Sequence, residues 1–138
     1  MTAAELLEKA GRALTSARLL LDDGDVDGAC NRAYYALFDA ARAALLVTGA
    51  PVPAEVAKTH SGLMTAFSLH LVKPGRVPVE LGRGLNRVAD LRLVADYTGE
   101  QIDTEMAGWA VAEAGRFVGQ LRQLFGSALD HPSDDESA

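Results

Sequence analysis

The 138-residue sequence predicts an all-α protein, and three observations carry that reading. Apolar residues recur at the 3.6-residue period of an amphipathic helix along most of the chain, and no stretch alternates as a strand would. Aromatic residues make up only 6% of a chain that is 49% hydrophobic, so the core must be built mainly from Leu, Val and Ala, which favours helix packed on helix. Capping residues and Gly or Pro stops divide the chain into segments of helical length.

The first helix is predicted from Thr2 to Asp23. Thr2 and Glu5 form a capping box, and Leu6, Ala10, Ala13, Ala17, Leu20 and Leu21 follow at helical spacing until Gly24 stops the run. The second begins at Asp25 and is apolar on nearly every face, as a helix at the centre of a bundle must be. Its main face carries Cys30, Tyr34, Leu37, Phe38, Ala41 and Leu45; Ala36, Ala40 and Ala43 line a second face, and Asn31, Arg32, Tyr35, Asp39 and Arg42 form a narrow polar strip. Gly49, Pro51 and Pro53 then make a loop. A third helix is expected from Thr59 to Val72, with Met64, Phe67, Leu71 and, at its start, His60 turned inward. The fourth runs from Pro78 to Gly99. Asp103 caps a fifth of about twenty residues, typical of a globular helix, whose inner face is expected to hold Met106, Ala110, Phe117, Leu121 and Leu124. Residues 1–125 read as one domain and residues 126–138 as an acidic, disordered tail.

A net charge of -6 excludes a protein that coats duplex DNA by general electrostatics, because neutralising phosphates requires a basic surface. The charge is uneven, however: Lys58, Lys73, Arg76, Arg83, Arg87 and Arg92 cluster in the middle third. Cys30 is the single cysteine, which rules out an internal disulfide and suits a reducing compartment. The N-terminus lacks the basic and apolar regions of a leader, and no window is apolar enough to span a bilayer, so a cytoplasmic location and no membrane partner are expected. There is no P-loop, GxGxxG, HExxH, paired CxxC or nucleophile elbow, and the scattered histidines and lone cysteine cannot build a zinc site; no cofactor and no metal are expected.

Arg92 is the residue the pattern does not explain. In the fourth helix Leu81, Leu85, Val88 and Ala95 share one face, and Arg92 falls in the middle of it, where a leucine would be expected. A guanidinium there needs a partner, and Asp96 one turn later can supply it. The pair is either a structural clamp or an arginine held so that its remaining donors face a phosphate. His60 would reach the same interior if the third helix crosses the fourth, where an imidazole suits general acid or base work; the alternative is a helix-terminal histidine satisfied by a hydrogen bond. In the second helix Tyr34 and Tyr35 stand beside Asn31 and Arg32, and a buried tyrosine hydroxyl needs a polar partner. Tyr97 lies on the opposite side of the fourth helix, facing solvent, a partner or a modifying enzyme. Gly108, Ala112, Gly115 and Gly119 form a small-residue strip on the fifth helix that would permit close approach of another subunit or is simply tolerated.

Three blocks in order, NRAYYALFDAARAALL (Asn31 to Leu46), KTHSGL (Lys58 to Leu63) and LGRGLNRVADLRLVADY (Leu81 to Tyr97), resemble the small stand-alone HEPN-domain proteins of bacteria and archaea. The resemblance covers nearly all of the chain apart from the tail. It implies an antiparallel four- to five-helix bundle that dimerises, paired with a minimal nucleotidyltransferase as toxin and antitoxin. Many such domains are metal-independent endoribonucleases whose site forms across the dimer from an arginine followed, after four to six residues, by a histidine. Arg92 matches the arginine, but Tyr97, Thr98 and Gly99 occupy the histidine positions. Two expectations follow. In one, the protein is an endoribonuclease in which Arg92 stabilises the scissile phosphate, Asp96 orients it and His60 takes the acid/base role, with Arg87 and Lys58 as further RNA contacts. In the other, it is a non-catalytic regulatory module that binds a nucleotide, RNA or the paired nucleotidyltransferase through the Arg92 cluster. Some relatives are switched by adenylylation of a tyrosine near the motif, which makes Tyr97 the modification candidate.

Overall fold

The computed structural model describes residues 1–97 and 102–130, and the side chains at 95–97 and 127–130 lie outside that description. Among the described residues the chain is helical throughout: α1 (Ala3–Asp23), α2 (Val26–Val47), the single turn α3 (Ala54–Ala57), α4 (His60–Phe67) continuing into a π-helical turn (Ser68–Val72), α5 (Val79–Tyr97) and α6 (Thr104–Asp130). The all-α expectation holds, and the third predicted helix is α4 with its π extension. The additional element is α3, a turn too short to leave a periodic signature and so read as loop.

The predicted boundaries rest on side chains that do what their chemistry suggests. Thr2 accepts from the Glu5 amide at 3.1 Å, Asp25 from the Gly28 amide at 2.9 Å and Asp103 from the Met106 amide at 2.8 Å, each satisfying a donor that the first helical turn leaves orphaned. Gly24 ends α1 with φ 86°, a left-handed conformation that costs glycine little, and the Gly24 and Asp25 amides bond back to Leu21 and Leu20. Thr59 caps α4 through the Gly62 amide at 3.1 Å. At Gly62 a β-carbon would run into the Val56 carbonyl oxygen, so only glycine lets α3 fold back against the start of α4. That corner fixes where His60 leaves the backbone.

Helix α2 is central and packs against α1, α4, α5 and α6. Its buried alanines, Ala29, Ala33, Ala36, Ala40, Ala41, Ala43 and Ala44, provide little bulk, which allows neighbouring helices to approach closely on several sides. The Phe67 and Phe117 rings, 5.5 Å apart and both buried, fill the space between α4 and α6.

Several positional expectations are corrected. Met106 (41% exposed) and Leu124 (47% exposed) do not line the core; the buried stripe of α6 is Ala107, Ala110, Val111, Ala114, Phe117, Val118 and Leu121. Both outliers lie roughly 80° from the middle of that stripe, at its edge; the N-terminal end of α6 is itself covered, since Ile102 and Ala107 on either side of Met106 are buried. On α4 the inner residue is Leu63 rather than the half-buried Met64. Helix α6 also exceeds the expected twenty residues and continues past Gly126, where the tail was expected to begin, to Asp130; residues 131–138 lie outside the described residues. Finally, Asp39, on the polar strip of α2, is 4% exposed.

Candidate functional site

Three helices deliver one residue each to a common point. From α2 comes Tyr34, buried; from the start of α4 comes His60, half-buried; from α5 comes Arg92, also half-buried. The Tyr34 hydroxyl and His60 Nδ1 are 2.8 Å apart, a short hydrogen bond across 26 residues of sequence. The Arg92 guanidinium carbon lies 4.7 Å from the centre of the Tyr34 ring and 5.6 Å from that of Tyr35. Tyr34 is therefore the pivot: its face carries the cation and its hydroxyl carries the imidazole.

The electrostatics suit a permanently positive, positioned guanidinium. A cation over a partly desolvated aromatic face gains about 1–2 kcal/mol, and the contact is made by the guanidinium face. Burial pushes the Tyr34 hydroxyl up to about 12, the Arg92 charge opposing this and Tyr35 adding to it, so the phenol is neutral at physiological pH. It then either donates to an unprotonated Nδ1 or accepts from a protonated one. With Nδ1 committed to Tyr34, Nε2 is the imidazole nitrogen left for a ligand. Tyr34→Phe would keep the ring beneath Arg92 and remove only this bond. The expected outcome in chemical denaturation is a loss of about 1 kcal/mol. A pH series adds a sign: because the folded-state phenol ionises later than an unfolded one at 10.0, wild-type stability falls as pH rises from 10 towards 12, and the share of that fall due to Tyr34 is absent from the variant.

The remaining sequence-derived candidates are placed differently. Arg87 is exposed, and five residues of helix turn it roughly 140° away from Arg92, so it does not share the site's face. Lys58 is exposed at the C-terminal end of α3, two residues before His60. The side chains of Asp96 and Tyr97 lie outside the described residues, as does the proposed Arg92 to Asp96 clamp. The residue not assigned a site role from sequence is Tyr34. Its signal was present, since a tyrosine on the most apolar face of the central helix must find a polar partner, but only the packing of α4 shows that the partner is His60. The small-residue strip on α6 is loosely surrounded: a β-carbon at Gly108 or Gly119 would meet nothing, and one at Gly115 only the Arg18 guanidinium.

Among the described residues, no three His, Cys, Asp or Glu side chains converge to hold a metal ion, and no helix is long and apolar enough to cross a membrane. Cys30 is buried and its thiol is pushed up to about 11, first by burial and then by Asp27, which makes it a core residue rather than a nucleophile.

An all-helical bundle with an arginine and a histidine gathered on a tyrosine of its central helix defines the class. The sequence profile of the HEPN domain matches residues 3–124, and the chain belongs to that family. It is similar to a UPF0332 protein of Gloeobacter violaceus, 34% identical over 116 residues that cover 83% of this chain and 88% of the relative. A protein of Methanocaldococcus jannaschii named "Putative toxin MJ0605" is 33% identical over 124 residues, covering 90% of this chain and 89% of its own length. A UPF0332 protein of Thermotoga maritima is 39% identical over 97 residues, 70% of this chain and 69% of the relative.

Proposed function

We propose that this HEPN protein is the toxin-like component of a toxin and antitoxin pair and that it acts on RNA at the Arg92 site. The observation that carries the reading is the junction of Arg92, Tyr34 and His60: a guanidinium seated on an aromatic face, one residue removed from an imidazole whose second nitrogen is uncommitted. Metal-independent RNA cleavage needs two things. The ribose 2′-hydroxyl must lose a proton as its oxygen attacks the adjacent phosphorus, and the charge that grows on the phosphate oxygens must be met by fixed donors. His60 accepts the 2′-hydroxyl proton and Arg92 supplies the donors; the P–O5′ bond breaks as the 2′-O–P bond forms, water protonates the departing 5′-oxygen, and a 2′,3′-cyclic phosphate remains. Similarity to a protein named as a toxin supports the same reading.

The expected setting is cytoplasmic. The partners are a second copy of the chain, a minimal nucleotidyltransferase as antitoxin, and RNA; Tyr97 is the candidate for modification by that partner. A non-catalytic reading, in which the cluster only binds a nucleotide, RNA or the partner, is favoured by one observation: Tyr97, Thr98 and Gly99 stand where active relatives carry histidine. Incubating the purified protein with total RNA and with tRNA, beside Arg92→Ala, separates the two. Cleavage by the wild type alone supports the enzyme; intact RNA in both samples, with wild-type binding that the variant lacks, supports the binding module.

A further inference from the structure

Beside the Arg92 site, α1 and α2 enclose a cleft of about 370 Å³, lined by Lys9, Arg12, Ser16, Arg32, Tyr35 and Asp39. It is within the size range of a small-ligand pocket and is too small for more than about one nucleotide. Its chemistry is mixed in a specific way. Three cations line it, yet its floor holds Asp39, the one charged side chain among the described residues that is buried. Arg42 approaches that carboxylate at a loose 3.8 Å. Burial pushes Asp39 upward, and Lys9, Arg42 and Arg32 partly offset this. A carboxylate held at the bottom of a cationic cleft is costly unless donors reach it.

The cleft shares one residue with the surroundings of Arg92, the ring of Tyr35. The Arg32 guanidinium carbon lies 5.0 Å from the centre of the Tyr35 ring, and the same ring lies 5.6 Å from that of Arg92. A flat guanidinium on a tyrosine is a platform for stacking an unpaired base.

We propose that this cleft is a guanine-nucleotide subsite, in which Asp39 accepts hydrogen bonds from the guanine N1–H and N2 amino group, Arg32 on Tyr35 stacks the base, and Lys9 and Arg12 face the phosphate. Guanine is the base that presents two adjacent donors on its Watson–Crick edge, so it alone satisfies both carboxylate oxygens. Adenine and cytosine offer one amino group beside a ring acceptor, and uracil one imino group between carbonyls; each sets a lone pair against the carboxylate. The same edge is available in free GMP and in an unpaired guanosine of RNA. Only the RNA source rests on the function proposed above.

The test is titration of the full-length protein with GMP, AMP, CMP, UMP and inorganic phosphate, then with an all-uridine RNA hexamer and the same hexamer carrying one guanosine. GMP is expected to bind at least ~10-fold more tightly than AMP, as one bidentate base contact provides. Asp39→Asn, nearly isosteric, is expected to reduce that preference to less than about threefold, and Arg32→Ala to weaken all four mononucleotides together; circular dichroism verifies that each variant is folded. Preferential binding of the guanosine hexamer over GMP assigns the site to RNA, and the reverse assigns it to the free nucleotide. Equal affinities for the four mononucleotides, phosphate binding as tightly as GMP, or a guanine preference that survives in Asp39→Asn overturns the proposal. Because these readouts leave Arg92 intact, they are independent of the Arg92→Ala cleavage assay, and either conclusion can fail alone.

Discussion

Replacing Arg92 with alanine is expected to lower the rate of RNA cleavage by about 10²–10³, the typical effect of deleting one fixed donor that meets charge growing in a transition state. The geometry makes a further demand. Lysine at the same position keeps the charge but loses the planar guanidinium that lies on Tyr34, so Arg92→Lys should recover only a minor part of the activity. Gel analysis of tRNA incubated with equal amounts of the three proteins gives the comparison. Full activity in Arg92→Lys would mean that charge alone suffices and that the stacking on Tyr34 is incidental. Circular dichroism of each variant checks that it is folded, so that a lost activity reports on the site.

The second large effect concerns stability. Phe117 is buried on α6 and its ring meets that of Phe67, so Phe117→Ala should leave a cavity between α4 and α6 and cost about 3–5 kcal/mol. Leu124 lies seven residues on at nearly the same azimuth, yet it is exposed, and Leu124→Ala should cost less than ~0.5 kcal/mol. The ratio of the two, read from urea denaturation midpoints, tests where the cover over α6 ends. Similar losses would place the core further along the helix than described here.

How far the sequence could be read depended on the range of the interaction. Caps and stops at Thr2, Gly24, Asp25 and Asp103 were legible because each is a contact between a side chain and a backbone group a few residues away. The buried faces of α1 and α2 were legible because one face of a helix repeats at a fixed period. Periodicity gives an azimuth, however, and not the width of the covered stripe, which is why Met106 and Leu124, at its edge, were placed in a core they do not reach. The burial of Asp39 was not legible for a related reason. A carboxylate on a strip with Arg32 and Arg42 suggests solvent, but α1 lies against that strip and turns it into the wall of a cleft.

The site was legible in part. Arg92 announces itself as a charge on an apolar stripe, and the expectation that His60 reaches the interior is consistent with its bond to Tyr34. What joins them could not be read, because the contacts that link Tyr34, His60 and Arg92 span 26 and 58 residues and depend on how α4 and α5 lie across α2. The blocks NRAYYALFDAARAALL and KTHSGL, recognised as family features, are in physical terms the two halves of that contact.

Binding of RNA at the junction of Arg92, Tyr34 and His60 is the central proposal. It is tested most directly by NMR of protein labelled only at its three histidines, His60, His70 and His131, titrated with a short single-stranded RNA, with His60→Gln assigning the signals. The His60 imidazole resonances are expected to move with saturating RNA while those of His70, on the π-helical turn, stay in place. Movement of His70 or His131 with His60 unchanged would contradict it.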